Sequence, residues 1–135
     1  MKAHTKTGII SIFAIVLSLQ TYGQELLNKE WILVKIEKEK ITTDAEKSPW
    51  IKLSEGRVSG FSGCNRLMGS YTLEGKKLTF DKLGGTKMFC FGSQELENKF
   101  MRTLSETYYW KYKRGKLYFF DNDKTVIMIY EEKRL

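Results

Sequence analysis

The residues best suited to chemistry in this sequence are two cysteines. Cys64 sits in the glycine-flanked turn "GFSGCNR", and Cys90 closes the segment "TKMFC". A cysteine can be a nucleophile, a metal ligand, a redox thiol or half of a disulfide, and its neighbours decide which. The sole histidine is His4, within an N-terminal segment that reads as a leader. Once that segment is removed, no Cys-His or Ser-His pair exists and the usual general base near neutral pH is missing. No Ser-x-x-Lys pattern replaces it. Two cysteines without histidine are poor material for a four-ligand zinc site. A reactive thiol needs a nearby positive charge to lower its pKa, and Arg66 and Lys87 are close enough in sequence to supply one.

The remaining candidates have simpler explanations. Asp121 and Asp123 sit in a turn, where Asp favours local hydrogen bonds; Asp44 and Glu46 lie in a charged loop. Neither pair flanks a segment that would form a glycosidase-like cleft. Gly60, Gly63 and Gly69 lie between predicted strands, whereas a phosphate cradle places its glycines between a strand and a helix. Asn65 is expected to adopt left-handed backbone angles or to bond its own turn. In "YYWKYKRGKLYFF" the aromatics interleave with Lys and Arg as in a single-strand nucleic-acid platform. Yet Tyr108, Trp110 and Tyr112 share one strand face while Tyr109, Lys111 and Lys113 share the other, which is ordinary alternation of core and solvent. The expectation is therefore no catalytic, cofactor-binding or metal-binding residue, no cofactor and no nucleic-acid partner.

The elements that position these residues begin after the leader. Lys2, His4 and Lys6 precede an apolar run from Gly8 to Leu19, and Thr21 and Gly23 precede a cut before Gln24. This is the layout of a secretory signal peptide over residues 1–23; an uncleaved anchor is the alternative, although the run is short for a membrane span. No cysteine follows the run, so a lipoprotein signal is not expected. Residues 24–135 then form one domain, exported to the periplasm or secreted, with no transmembrane segment. The whole sequence carries a net charge of +7. Loss of Lys2 and Lys6 leaves 21 basic against 16 acidic residues, a moderate excess that permits attraction to acidic polymers or anionic membrane surfaces without demanding either.

Strands are expected at Trp31–Ile36, Trp50–Leu53, Arg57–Phe61, Gly69–Leu73 and Lys77–Phe80, the last two flanking a Gly-bearing hairpin turn. "EKEKITTDAEKS" reads as a solvated loop, and Thr86–Cys90 as a short strand or extended loop. From Ser93 the period changes. Leu96, Phe100 and Leu104 recur every four residues beside Met101 and Thr103, a helix stripe over about 93–106. Ser93 suits its N-cap, and Glu95 and Glu97 suit the positive end of the dipole. Three strands close the chain, the last apolar on both faces. The class is α+β: a single domain with a curved, mostly antiparallel sheet and one packed helix.

Taken together, Gly60, Gly63, Cys64, Asn65 and Arg66, then Gly69 and Tyr71, then Thr86, Met88 and Cys90, resemble the motif residues of a META domain, the family that includes HslJ-like heat-shock proteins of bacterial envelopes. The resemblance runs from about Trp31 to Tyr130. Many relatives carry a lipoprotein signal that is absent here, and where relatives often have proline after the second cysteine this chain has Phe91–Gly92. The resemblance implies a small envelope module without established catalysis, so the motif residues are expected to be structural. Two cysteines in an exported domain of this size suggest a Cys64–Cys90 disulfide. It would close a loop of about 27 residues, worth roughly 3.5 kcal/mol in the chain-entropy model; buried thiols and a functional thiol are the alternatives. The function expected is a non-enzymatic protein that supports the envelope under stress by binding a protein or an apolar ligand. A secreted inhibitor or pilot-type accessory protein with one partner is the second reading, and a thiol-dependent enzyme the third.

Overall fold

The computed structural model of the chain describes residues 23–42, 44 and 46–134. The expected leader therefore lies, apart from Gly23, outside the described residues. The elements are β1 (Glu30–Ile36), β2 (Glu39–Lys40), β3 (Trp50–Ser54), β4 (Arg57–Phe61), β5 (Arg66–Glu74), β6 (Lys77–Gly85), α1 (Gln94–Ser105), β7 (Tyr109–Lys113), β8 (Lys116–Phe120) and β9 (Val126–Glu132). All strand pairings are antiparallel.

The sheet is strand-rich, and it closes. From β3 to β9 each strand pairs with the next in sequence, and β9 returns to β1, with Trp31 opposite Glu132 and Ile36 opposite Met128. The expected curved sheet is thus a barrel, which removes the exposed edges an open sheet would carry. Strand β1 serves two neighbours on its other side. Glu30–Ile32 pair with β3, and Lys35–Ile36 pair with β2. The segment expected to be a plain solvated loop therefore contains a two-residue strand, because Ile41 tucks against the core and draws Glu39 and Lys40 alongside β1. Strands β3–β4 and β7–β8 are joined by Glu55–Gly56 and Arg114–Gly115, both residues of each pair having positive φ. That is the backbone sense of a type I′ hairpin turn, whose twist matches the strands.

Period-two alternation fills the barrel. Trp31, Leu33, Ile51, Leu53, Leu78, Leu117, Phe119, Met128 and Tyr130 are all buried in one core. Trp110 joins them, Tyr112 meets Trp31 edge-on at 6.1 Å, and Lys111 and Lys113 face solvent. Of the aromatic run, Trp110, Tyr112 and Phe119 pack in or against the core, as the alternation implied, whereas Tyr108, expected on the same face, is half-buried outside it. Ile127, on the other parity of β9, is also buried. Helix α1 adds Phe100 and Leu104 to the same core, with Leu96 and Met101 packed at its margin. It contacts β6 and β9 and connects β6 to β7, the seam with a single register pair, Lys77 opposite Tyr109. Ser93 occupies the N-cap position, but its hydroxyl makes no capping bond. Its backbone is already in the α region, and its amide instead bonds the Cys90 carbonyl at 3.2 Å.

Candidate functional site

Strand β4 runs into a turn at Ser62–Asn65 before β5 begins. Gly63 sits there at φ +99, a conformation that glycine adopts without a Cβ clash. The Ser62 amide donates to the Asn65 carbonyl at 2.9 Å, and the Asn65 amide donates to the Ser62 hydroxyl at 3.0 Å. Strand β6 ends at Gly85 opposite Leu67, so the chain leaves the sheet beside this turn. Residues 86–90 form no strand. The Thr86 amide bonds the Arg66 carbonyl at 3.2 Å, and the Thr86 hydroxyl accepts the Arg66 amide at 3.1 Å. Cys64 and Cys90 are joined by a disulfide, with Cα atoms 5.7 Å apart.

Asn65 holds the arrangement together. Its primary amide presents a carbonyl and an N–H side by side, matching a peptide unit. Oδ1 accepts the Met88 amide at 2.7 Å and the Thr86 hydroxyl at 3.0 Å, while Nδ2 donates to the Met88 carbonyl at 3.0 Å. Nδ2 also meets the Glu97 carboxylate at 2.9 Å. Glu97 reaches from the first turn of α1 and accepts the Ser62 hydroxyl at 2.8 Å and the Asn65 amide at 3.1 Å. Asn65 is buried, so its side-chain amide and backbone N–H would otherwise be withdrawn from water without a partner.

This corrects the expectation for Asn65. Its φ is not positive, and its side chain bonds across to Thr86, Met88 and Glu97 rather than serving only its own turn. Met88 contributes its backbone, and its side chain points outward. Arg66 is exposed; with Trp50, Phe61 and Met68 it lines a shallow groove of about 520 Å³ on the outer face of β3–β5. Gly60 faces the Trp50 carbonyl of the adjacent strand with no room for a Cβ, and Gly69 lies against Leu83. Tyr71 packs at the core margin, and its amide bonds the Gly56 carbonyl at 3.0 Å. With both cysteines in a disulfide, neither sulfur is a thiolate for Arg66 or Lys87 to activate in this state.

Two features were not legible as site residues. Glu97 reads in sequence as a dipole-complementing residue. Its periodic position on α1, just off the apolar stripe, is the only signal that it turns inward. The second feature is the outer surface of the loop. Met88 is 62% exposed, Phe89 78% and Phe91 96%, and Gly92 ends the run at φ +81. Among the described residues, the other exposed large apolar side chains, Met68 and Val126, lie on strands. The helix that supplies Glu97 is itself tied to the β1–β2 turn: Lys99 reaches Glu39 at 2.9 Å and Glu37 at 3.6 Å. The hydrogen bond to Glu39 raises the Lys99 pKa above its ordinary value.

The motif residues around Asn65 and the whole strand order lie within residues 24–134, which the META domain sequence family matches. The chain belongs to the META domain family. Solved structures share this META fold. An NMR structure of a protein from Burkholderia xenovorans is 25% identical with a TM-score of 0.67, covering 83% of this chain and 86% of that one. A second NMR structure is 27% identical with a TM-score of 0.63, covering 80% of this chain and 92% of that one. A crystal structure of a DUF4847 family protein from Bacteroides vulgatus is 12% identical with a TM-score of 0.64, covering 84% and 98% of the two chains, and shows the fold alone. No curated protein gives a match. Among the described residues, no helix is long and apolar enough to cross a membrane.

Proposed function

We propose that this META-domain protein is an exported, non-enzymatic binding module that serves the cell envelope under stress, and that the loop from Thr86 to Gly92 is its recognition element. The observation that carries the reading is the pairing of exposure with rigidity. Met88, Phe89 and Phe91 stand in solvent on a loop whose base is tied by the Cys64–Cys90 disulfide and by Asn65. Exposed apolar side chains cost solubility, and a cluster of them favours a binding role. A rigid base lowers the ordering cost of binding. The barrel interior is occupied by its own large side chains, Trp31, Tyr130, Phe100 and Phe119 among them. That favours a surface contact over an apolar ligand held inside the barrel.

The test compares the wild-type chain with the double variant F89S/F91S in fractionated cells. The wild type is expected in the envelope fraction and the double variant in the free pool, with equal thermal midpoints because both side chains are solvent-exposed. Equal envelope retention of the two proteins would overturn the reading.

A further inference from the structure

The apolar tip of the Thr86–Gly92 loop has basic neighbours. Lys87 is exposed within the loop, and Arg66 is exposed on the strand that the loop base bonds. Lys82 stands exposed at a positive-φ position on β6. Glu97 is turned inward onto Ser62 and Asn65, while three exposed carboxylates remain around these basic residues: Asp81, whose Oδ1 accepts the Lys82 amide at 2.8 Å, Glu95, which lines a pocket with Gly92, and Glu46, which lines the same groove as Arg66. Resting on the reading of this loop as the recognition element, we propose that its occupant is an anionic lipid bilayer. Met88, Phe89 and Phe91 enter the headgroup and acyl boundary while Lys87 and Arg66 meet lipid phosphates.

Size separates a bilayer from a protein partner. A stable protein–protein interface buries about 800 Å² per side around a packed centre. Here the loop offers three exposed apolar side chains, Met88, Phe89 and Phe91, on a segment fixed at its base. A surface of that kind enters a fluid boundary without needing a matching pocket. Without the leader the 21 basic and 16 acidic residues leave a net charge of +5, which adds long-range attraction to an anionic surface. The binding is expected to be reversible and of the strength of one acyl chain, with half-binding at a lipid concentration on the order of 10⁻⁴ M.

The experiment is sedimentation of the purified protein, processed as the cell leaves it, with vesicles of phosphatidylcholine alone or mixed with phosphatidylglycerol. Binding is expected on the mixed vesicles and to fall with added salt. F89S/F91S is expected to weaken it by roughly 100-fold, since burying each ring is worth at least a factor of about ten. K87Q is expected to weaken it by about five-fold on the anionic vesicles only. As a direct reading of insertion, F91W is expected to shift its fluorescence to the blue and to be quenched by brominated acyl chains. Absence of vesicle binding, or equal binding by F89S/F91S, would overturn the inference. If vesicles do not bind but envelope retention still depends on Phe89 and Phe91, the loop remains the recognition element and its partner is a protein. If neither depends on them, both readings fall.

Discussion

The barrel interior and its disulfide-closed rim handle the same residue types in opposite ways. Inside, Phe100, Phe119 and Trp31 are buried without remainder and need no polar help beyond the Trp31 indole N–H bonded to the Leu26 carbonyl at 2.9 Å. At the rim, polar groups do the holding, with buried Asn65 and Ser62 bonded to half-buried Glu97 and exposed Thr86, and apolar side chains face outward. The core gains stability from area removed from water. The rim gains from satisfied bonds in a low dielectric, where loss of one partner strands the others. Its apolar residues are therefore available to act on something else.

The largest expected effect contrasts two phenylalanines. Phe100→Ala should cost roughly 3–5 kcal/mol in urea unfolding, as for a large side chain deleted from a packed core. Phe91→Ala should stay within about 0.5 kcal/mol, as for an exposed site. Similar losses at both positions would erase the distinction. Next, C64A/C90A should lose about 3.5 kcal/mol while its near-ultraviolet spectrum remains that of an intact barrel; loss of the spectrum would make the rim a prerequisite of the core. Asn65→Ala should cost roughly 2–3 kcal/mol, because it leaves the Met88 backbone and the Glu97 carboxylate short of partners. It should also speed amide exchange at Met88, whereas Phe100→Ala should speed exchange across the sheet.

The smallest effect tests the dryness of the core. Tyr130 is fully buried, its hydroxyl 3.2 Å from Met128 Sδ, and burial pushes its pKa well above 10.0. Below pH 10 the folded and unfolded chains both keep the proton. Above it only the unfolded chain releases it, so stability is complete below pH 10 and falls as the pH rises further. Lys99, whose pKa its bond to Glu39 raises from 10.5, loses stability in the same direction and window. Y130F should flatten the alkaline decline without abolishing it. An unchanged profile would mean that water reaches the phenol.

Much of the fold was legible because its signals are local. Apolar runs such as "WILVKI" and "TVIMIY" placed strands, alternation across Tyr108–Lys113 placed an inward face, and the Leu96–Phe100–Leu104 stripe placed the helix. The motif spacing pointed to the family that residues 24–134 match. The site was legible only as a list of residue types. The cysteines were paired in expectation, but Asn65 was assigned to its own turn and Glu97 to the helix dipole. Both bond partners lie more than twenty residues away, as with Asn65 and Met88 or Glu97.

The amino-acid sequence by itself determined the helix, most of the strands and the inward face where apolar and polar residues alternate, since side-chain periodicity follows backbone geometry within a few residues. The tertiary structure alone decided that β1 meets β9 and closes the barrel, because that pairing joins residues about a hundred positions apart. It also decided which aromatics stay outside. Phe89 and Phe119 are the same side chain, and only the long-range packing around Phe119, against the tether that holds Phe89 at the rim, separates a core residue from an exposed one.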